Sequence, residues 1–200
     1  MSELSEIHED IAHCTKCELS KYRSRAVPGE GAANADIMFI GEAPGWHEDQ
    51  QGRPFVGPAG QFLEQLLASI GLRRNQVFIA NVIKCRPPGN RDPLPDEILA
   101  CRHWLEQQIE LIKPKIIVTL GRYAMAKYFP GKSISKIHGT AQKQDDIIYY
   151  AMYHPAAALH QYSLRQAIEE DMHKIPSLLA QVESISQEKQ QPQQLNMFEV

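Results

Sequence analysis

No stretch of this chain approaches the ~20 consecutive apolar residues that a membrane helix requires. The first residues, MSELSEIHED, have neither the basic start nor the apolar core of a secretory leader. These absences lead us to expect a soluble, cytoplasmic protein with no membrane partner. An excess of one charge is missing too: 21 Lys and Arg against 24 Asp and Glu leave a net charge of −3. By itself that balance argues weakly against a polyanionic partner. There is no internal repeat, no Walker lysine and no G-x-G-x-x-G fingerprint, so the usual phosphate-cradling loops are not represented. Cysteine is limited to four residues. In the cytosol these are expected to be reduced, catalytic or metal-bound rather than disulfide-paired.

What is present is an ordinary globular composition, 43% hydrophobic and 22% charged over 200 residues. A chain of this length suits one domain and buries roughly 70% of its unfolded surface without staples. Residues 2–13 read as a short helix leading to Cys14. Apolar runs at 35–40, 77–83, 116–120 and 147–153 read as buried strands. Helical spacing is predicted over 61–70, 96–112, 122–129 and 164–182, with Gly71 as a C-cap and Pro176 as a break or kink. This alternation implies an α/β fold, a three-layer α/β/α sandwich with a central, mostly parallel four-stranded sheet. In such sheets the site lies beyond the carboxyl ends of the strands. Here those ends carry Gly41–Gly45 (GEAPG), Asn81, Gly121 and His154. Residues 1–183 form the expected domain. Residues 184–200 are polar and glutamine-rich and are expected to be disordered.

The cysteines are Cys14, Cys17, Cys85 and Cys101. The C-x-x-C spacing of the first two lets both thiolates reach one metal centre. With Cys85 past a strand and Cys101 on the next helix, four thiolates suit either tetrahedral zinc or an iron–sulfur cluster, and spacing does not choose between them. A redox C-x-x-C with two core cysteines is the alternative. Lys16, Lys21, Arg23 and Arg25 crowd the first pair, and Lys84, Arg86 and Arg91 surround Cys85. That distribution is a local basic footprint suited to nucleic acid, set against a reading of scattered solvated charge.

Three separated segments carry a family resemblance. Gly41-Glu42-Ala43-Pro44-Gly45, continuing through Glu48-Asp49 to Gly52-Arg53-Pro54-Phe55-Val56-Gly57-Pro58-Ala59-Gly60, resembles the first motif of the family 4 uracil-DNA glycosylases. Lys84-Cys85-Arg86-Pro87-Pro88-Gly89-Asn90-Arg91 is similar to that family's central loop, and His154-Pro155-Ala156-Ala157-Ala158-Leu159 to its second catalytic motif. The resemblance runs from about residue 7 to 180. It implies a [4Fe–4S] cluster on Cys14, Cys17, Cys85 and Cys101. Trp46-His47 and His160 depart from the pattern at positions expected on a DNA-facing rim. Glu42 argues against a sister family that lacks a polar residue there.

The resemblance also implies roles. His154 would hydrogen-bond uracil O2 as negative charge collects there, and Pro155 disfavours helix at His154, helping to present it from a strand end. Glu42 would position or activate water against C1′. Asn81 offers a donor and an acceptor that match uracil O4 and N3–H. Phe55 would stack on the base, Glu48 would crowd its C5 position and exclude thymine, and Asn90 would assist water or phosphate contacts. Gly41, Ala43, Pro44 and Gly45 would give the backbone a close path to the nucleotide. The expected partner is uracil-containing DNA, double- or single-stranded, acted on by a monomer that initiates base excision repair. A non-catalytic DNA-binding module and a nucleotide-binding enzyme are the competing readings. In the tail, Gln194, Leu195, Met197 and Phe198 resemble a peptide that docks on the replication sliding clamp.

Overall fold

The computed structural model describes residues 3–190, with side chains described through residue 184. Helix α1 spans Glu3–His13 and is followed by a short edge strand β1, Glu30–Gly31. Strand β2 (Ile37–Gly41) leads into α2 (Trp46–Gln51) and α3 (Pro58–Ser69). Strand β3 (Phe78–Asn81) precedes the long helix α4 (Pro95–Ile112). Strand β4 (Ile116–Leu120) is followed by α5 (Arg122–Ala126) and α6 (Ile134–Ile137). Strands β5 (Thr140–Gln144) and β6 (Ile147–Met152) form a hairpin, and α7 (Pro155–His160) and α8 (Ser163–Gln190) follow.

The sheet has six strands in the order β1-β3-β2-β4-β6-β5, not the four expected. The four central strands are parallel, as the alternating pattern predicted, and the added edge strands are antiparallel. Both additions escaped the sequence for a physical reason. β5 is exposed at every position, so it carries no apolar run, and β1 is two residues long.

Period-two alternation distributes the core to both faces of the sheet. Met38 and Ile40 of β2, with Ile117 of β4, pack on one side against Ile11 of α1, Trp104 and Leu105 of α4 and Met125 of α5. Ile37 and Phe39, with Ile116, Val118 and Leu120, pack on the other side against Leu63, Leu66 and Leu67 of α3 and Ile168, Met172 and Ile175 of α8. A buried side chain of this kind contributes about 1.5–3 kcal/mol, so α3 and α8 are each anchored by several such residues. The result is the three-layer α/β/α arrangement. Gly71 closes α3 with φ +75°, the left-handed conformation a C-cap requires.

Helix α8 differs from expectation in two respects. It runs through Pro176, which lies on an exposed face where solvent can take the carbonyl bond that proline cannot make. It also extends to Gln190, past the end predicted at 182. The candidate clamp-docking residues Gln194, Leu195, Met197 and Phe198 lie outside the described residues. Among the described residues no helix is long and apolar enough to cross a membrane.

Candidate active site

The carboxyl ends of β2 and β3 and the segment after β6 open onto one cleft of about 630 Å³. The loop after β2 supplies Glu42, Ala43, Pro44 and Gly45, and the turn before α3 supplies Phe55. Asn81 enters from the end of β3, Asn90 from the following loop and His154 from the end of β6. Three stretches far apart in sequence therefore meet where parallel-sheet geometry predicts.

His154 is the N-cap of α7, with φ −67° and ψ 136°. Pro155 at the first helical position fixes that extended conformation. The ring Nδ1 accepts a hydrogen bond from the Ala156 backbone N–H at 3.1 Å. An accepting Nδ1 in a neutral ring leaves the proton on Nε2, so Nε2 is the donor available to a ligand. Desolvation lowers the pKa of the half-buried ring to about 4, opposed by the nearby charge of Glu48. The imidazole is therefore neutral at physiological pH. Gly121, at φ +85°, makes room for it, since a Cβ there would lie 3.1 Å from the His154 Cβ.

Asn81 is 2% exposed, and its Oδ1 has no hydrogen-bond partner among the described residues. An orphaned buried acceptor costs roughly 1–3 kcal/mol, which a ligand donor can return. Gly41 does not line the cleft but shapes it: a Cβ there would stand 2.7 Å from the Phe55 ring and collide with the Asn81 amide. Phe55 packs its ring beside that of His154, with centroids 5.4 Å apart and planes 25° from parallel. Its backbone sits at φ +52°, a strained conformation for a residue with a side chain. Arg74 holds it there by donating to the carbonyls of Phe55, at 3.0 Å, and Pro54. Glu30 in turn binds both Arg74, at 3.0 Å, and Arg53, at 2.6 Å.

Glu42 is half-buried, and its pKa is raised by burial and by the nearby charge of Asp92, against a lowering by Arg122. Arg122 lines the same cleft and is bridged to Asp92. Sequence reasoning stopped at Gly121 and missed Arg122, although that arginine begins the helix directly after a strand end, where a site residue is expected. Arg91 also lines the cleft, its guanidinium gripped by the buried Glu97 at 2.6 and 2.9 Å. His160, expected at the rim, is part of the wall. Trp46 is 53% exposed, at the start of α2 next to the cleft residue Gly45.

Two assignments change in character. Glu48 lines the cleft, but its carboxylate accepts three backbone N–H groups: Val56 and Gly57 at 2.9 Å and Gly45 at 3.1 Å. It clasps the loop after β2 to the turn before α3, which makes it a brace. Lys84 was grouped with the basic footprint around Cys85, yet it is 1% exposed and faces no solvent. Asn90, with φ +54°, is exposed, and its Oδ1 accepts from Arg86 Nε at 2.6 Å. That bond leaves the amide NH₂ free to offer the cleft.

The four cysteines also converge. Cys14 and Cys17 follow α1, Cys85 follows β3, Cys101 lies in α4, and all four line one small cavity. All are free thiols. Three N–H groups point at the sulfurs: Arg23 Nη1 at 3.0 Å from Cys85, the Lys84 backbone at 3.2 Å from Cys101 and Trp104 Nε1 at 3.4 Å from Cys14. An all-sulfur donor set with N–H···S bonds fits an iron–sulfur cluster. Among the described residues no three His, Cys, Asp or Glu side chains are grouped to hold one metal ion.

Comparison with known proteins agrees with this geometry. The profile of the Uracil DNA glycosylase superfamily matches residues 28–181. A type-4 uracil-DNA glycosylase of Sulfurisphaera tokodaii is 52% identical over 189 residues, covering 89% of this chain and 86% of the relative. That of Saccharolobus solfataricus is 47% identical over 190 residues, covering 90% and 88%. That of Archaeoglobus fulgidus is 45% identical over 187 residues, covering 89% and 94%. With identity of this extent over nearly the whole fold, the chain belongs to the type-4 family of the uracil-DNA glycosylase superfamily.

Proposed function

We propose that this protein excises uracil from DNA by hydrolysing the C1′–N1 bond, leaving free uracil and an abasic site as the first step of base excision repair. The observation that carries the reading is the Ala156 N–H bond to His154 Nδ1, which leaves Nε2–H as a donor in the cleft that holds Asn81 and Glu42.

The target base must leave the duplex stack, at a cost of roughly a few kcal/mol. Asn81 then supplies Oδ1 to uracil N3–H and its NH₂ to O4. Cytosine has an acceptor and a donor at these two positions, so it meets like against like and is refused. Phe55 provides the apolar wall for the base, a contact worth about 1–3 kcal/mol in nucleic-acid systems. As the glycosidic bond stretches, negative charge moves into the uracil ring and positive charge builds on the sugar. The neutral His154 donates Nε2–H to O2, and one such donor lowers the barrier by about 3–4 kcal/mol. Glu42, ionised, orients water toward C1′ and stabilises the sugar's positive charge, while Arg122 offsets the burial that favours its protonated form. Asn90 keeps its NH₂ donors free of Arg86, and these suit a phosphate oxygen.

A [4Fe–4S] cluster on Cys14, Cys17, Cys85 and Cys101 would cross-link α1, the loop bearing Arg86 and Asn90, and α4, with a structural role. The N–H···S bonds support that assignment.

The test uses anaerobically purified protein and oligonucleotides with one uracil opposite G, opposite A or in a single strand. Free uracil and an alkali-labile site are expected. DNA binding with every uracil left intact would overturn the reading in favour of a binding module.

A further inference from the structure

A lysine that is 1% exposed is rare, because an ammonium group without compensation is costly to bury. Lys84 Nζ donates to the Asn81 carbonyl at 3.0 Å and to Gln108 Oε1 at 2.7 Å. Both acceptors are neutral. Gln108 is itself fully buried and fixed by the Pro28 carbonyl, which accepts from its Nε2 at 2.8 Å. The groups of negative potential that face the ammonium are the sulfurs of Cys101 and Cys85. Lys84 also lines the four-cysteine cavity, and its backbone N–H donates to Cys101 Sγ at 3.2 Å. One residue thus touches both the sulfur cage and the strand end that carries Asn81.

We propose that Lys84 is a positioning residue that couples the cysteine cage to the base pocket, its ammonium balancing the charge of the metal-bound thiolates while holding the backbone of Asn81. The inference rests on the reading of the cysteines as cluster ligands and of Asn81 as the residue that reads the base. The physical logic is mutual. Thiolates around a cluster leave a negative site in a low-dielectric interior, where a buried cation is favourable. The cation needs acceptors for its remaining protons, and the Asn81 carbonyl is one of them. Removing the charge should therefore alter both ends.

The experiment compares holoproteins, purified anaerobically, of wild type, Lys84→Met and Lys84→Arg. Three quantities are read: iron and sulfide per chain, the reduction potential of the cluster, and KM and kcat on a U·G duplex. Lys84→Met keeps the length and apolar stem but not the charge. Its cluster should be harder to reduce, since reduction adds negative charge with one neighbouring cation fewer. Its KM should rise about tenfold with kcat within about threefold, because the Asn81 contact is made in ground and transition states alike. Lys84→Arg should restore the potential. A Lys84→Met holoprotein with wild-type potential and wild-type KM overturns the proposal. Should Lys84→Met not fold, Gln108→Leu tests the same anchor with the charge left in place. It should raise KM at unchanged potential, and a wild-type KM would again overturn the proposal. The potential is read without any excision. Failure of the glycosylase reading, seen as an inactive wild type, is thereby distinct from failure of this inference, seen as variants indistinguishable from an active wild type.

Discussion

The backbone N–H of Ala156 donates to Nδ1 of His154 across 3.1 Å, and that bond determines which ring nitrogen carries the proton. The relationship is local, two residues apart at the first turn of α7, so it is present before any DNA binds. A donor already oriented needs no reorganisation when charge develops on the base.

The tautomer has a direct signature. At pH 7, ¹⁵N spectra of the histidine rings should show His154 neutral, with the proton on Nε2. Its pKa is lowered to about 4 from an ordinary 6.5. The unfolded chain therefore takes up this proton first, so stability should fall as pH drops from about 6.5 toward 4. His154→Gln should flatten that part of the stability profile. A protonated ring at pH 7 would be at odds with the account.

In the proposed mechanism the acid limb of the excision rate belongs to Glu42, whose pKa is raised by burial and by Asp92. The rate should fall as pH drops through that raised pKa, since only the carboxylate form can attract water and sugar charge. Arg122 works in the opposite direction. Arg122→Gln should therefore move the limb to higher pH, read from single-turnover rates between pH 4 and 8. A limb that stays in place would separate Arg122 from Glu42.

Glu48 serves as a clasp, so its loss should be felt first in stability. Glu48→Gln replaces one accepting oxygen with a donor facing a backbone N–H and should cost about 1–3 kcal/mol of unfolding free energy. It should not open the pocket to thymine. Thymine release by the variant would return Glu48 to the role of excluding the C5 methyl group.

Beneath the strand end that carries His154 lies another polar cluster. Buried Asp171 accepts from His138 Nδ1 at 2.7 Å and Lys174 Nζ at 2.8 Å, and the His138 ring packs on Tyr153, 4.6 Å between centroids. Asp171→Asn should lower unfolding free energy by about 1–3 kcal/mol, because it removes the charge that both donors were placed to meet. Chemical denaturation measures this directly.

Much of this architecture was legible in the sequence because burial leaves a period. The four central strands are continuous apolar runs, and Glu42, Asn81, Arg122 and His154, at or just past their ends, line the cleft. Gly71 and Pro155 announced their turns through restricted backbone conformation. What was hidden depended on long-range packing. The fully exposed β5 carries no hydrophobic signal, and a lysine reads as surface until its neighbours are known, which is why Lys84 was misplaced. The bracing role of Glu48 was hidden because nothing local reveals that Val56 and Gly57 turn their N–H groups toward it. Arg122 needed only attention to the residue after Gly121.

The central claim is that His154 stabilises charge on departing uracil from a position fixed before binding. Single-turnover release of uracil from a U·G duplex by wild type and His154→Ala, with DNA affinity measured in parallel, tests it most directly. The account predicts a rate at least ~100-fold lower for the variant with affinity little changed. A variant that binds as tightly and releases uracil at the wild-type rate would contradict it.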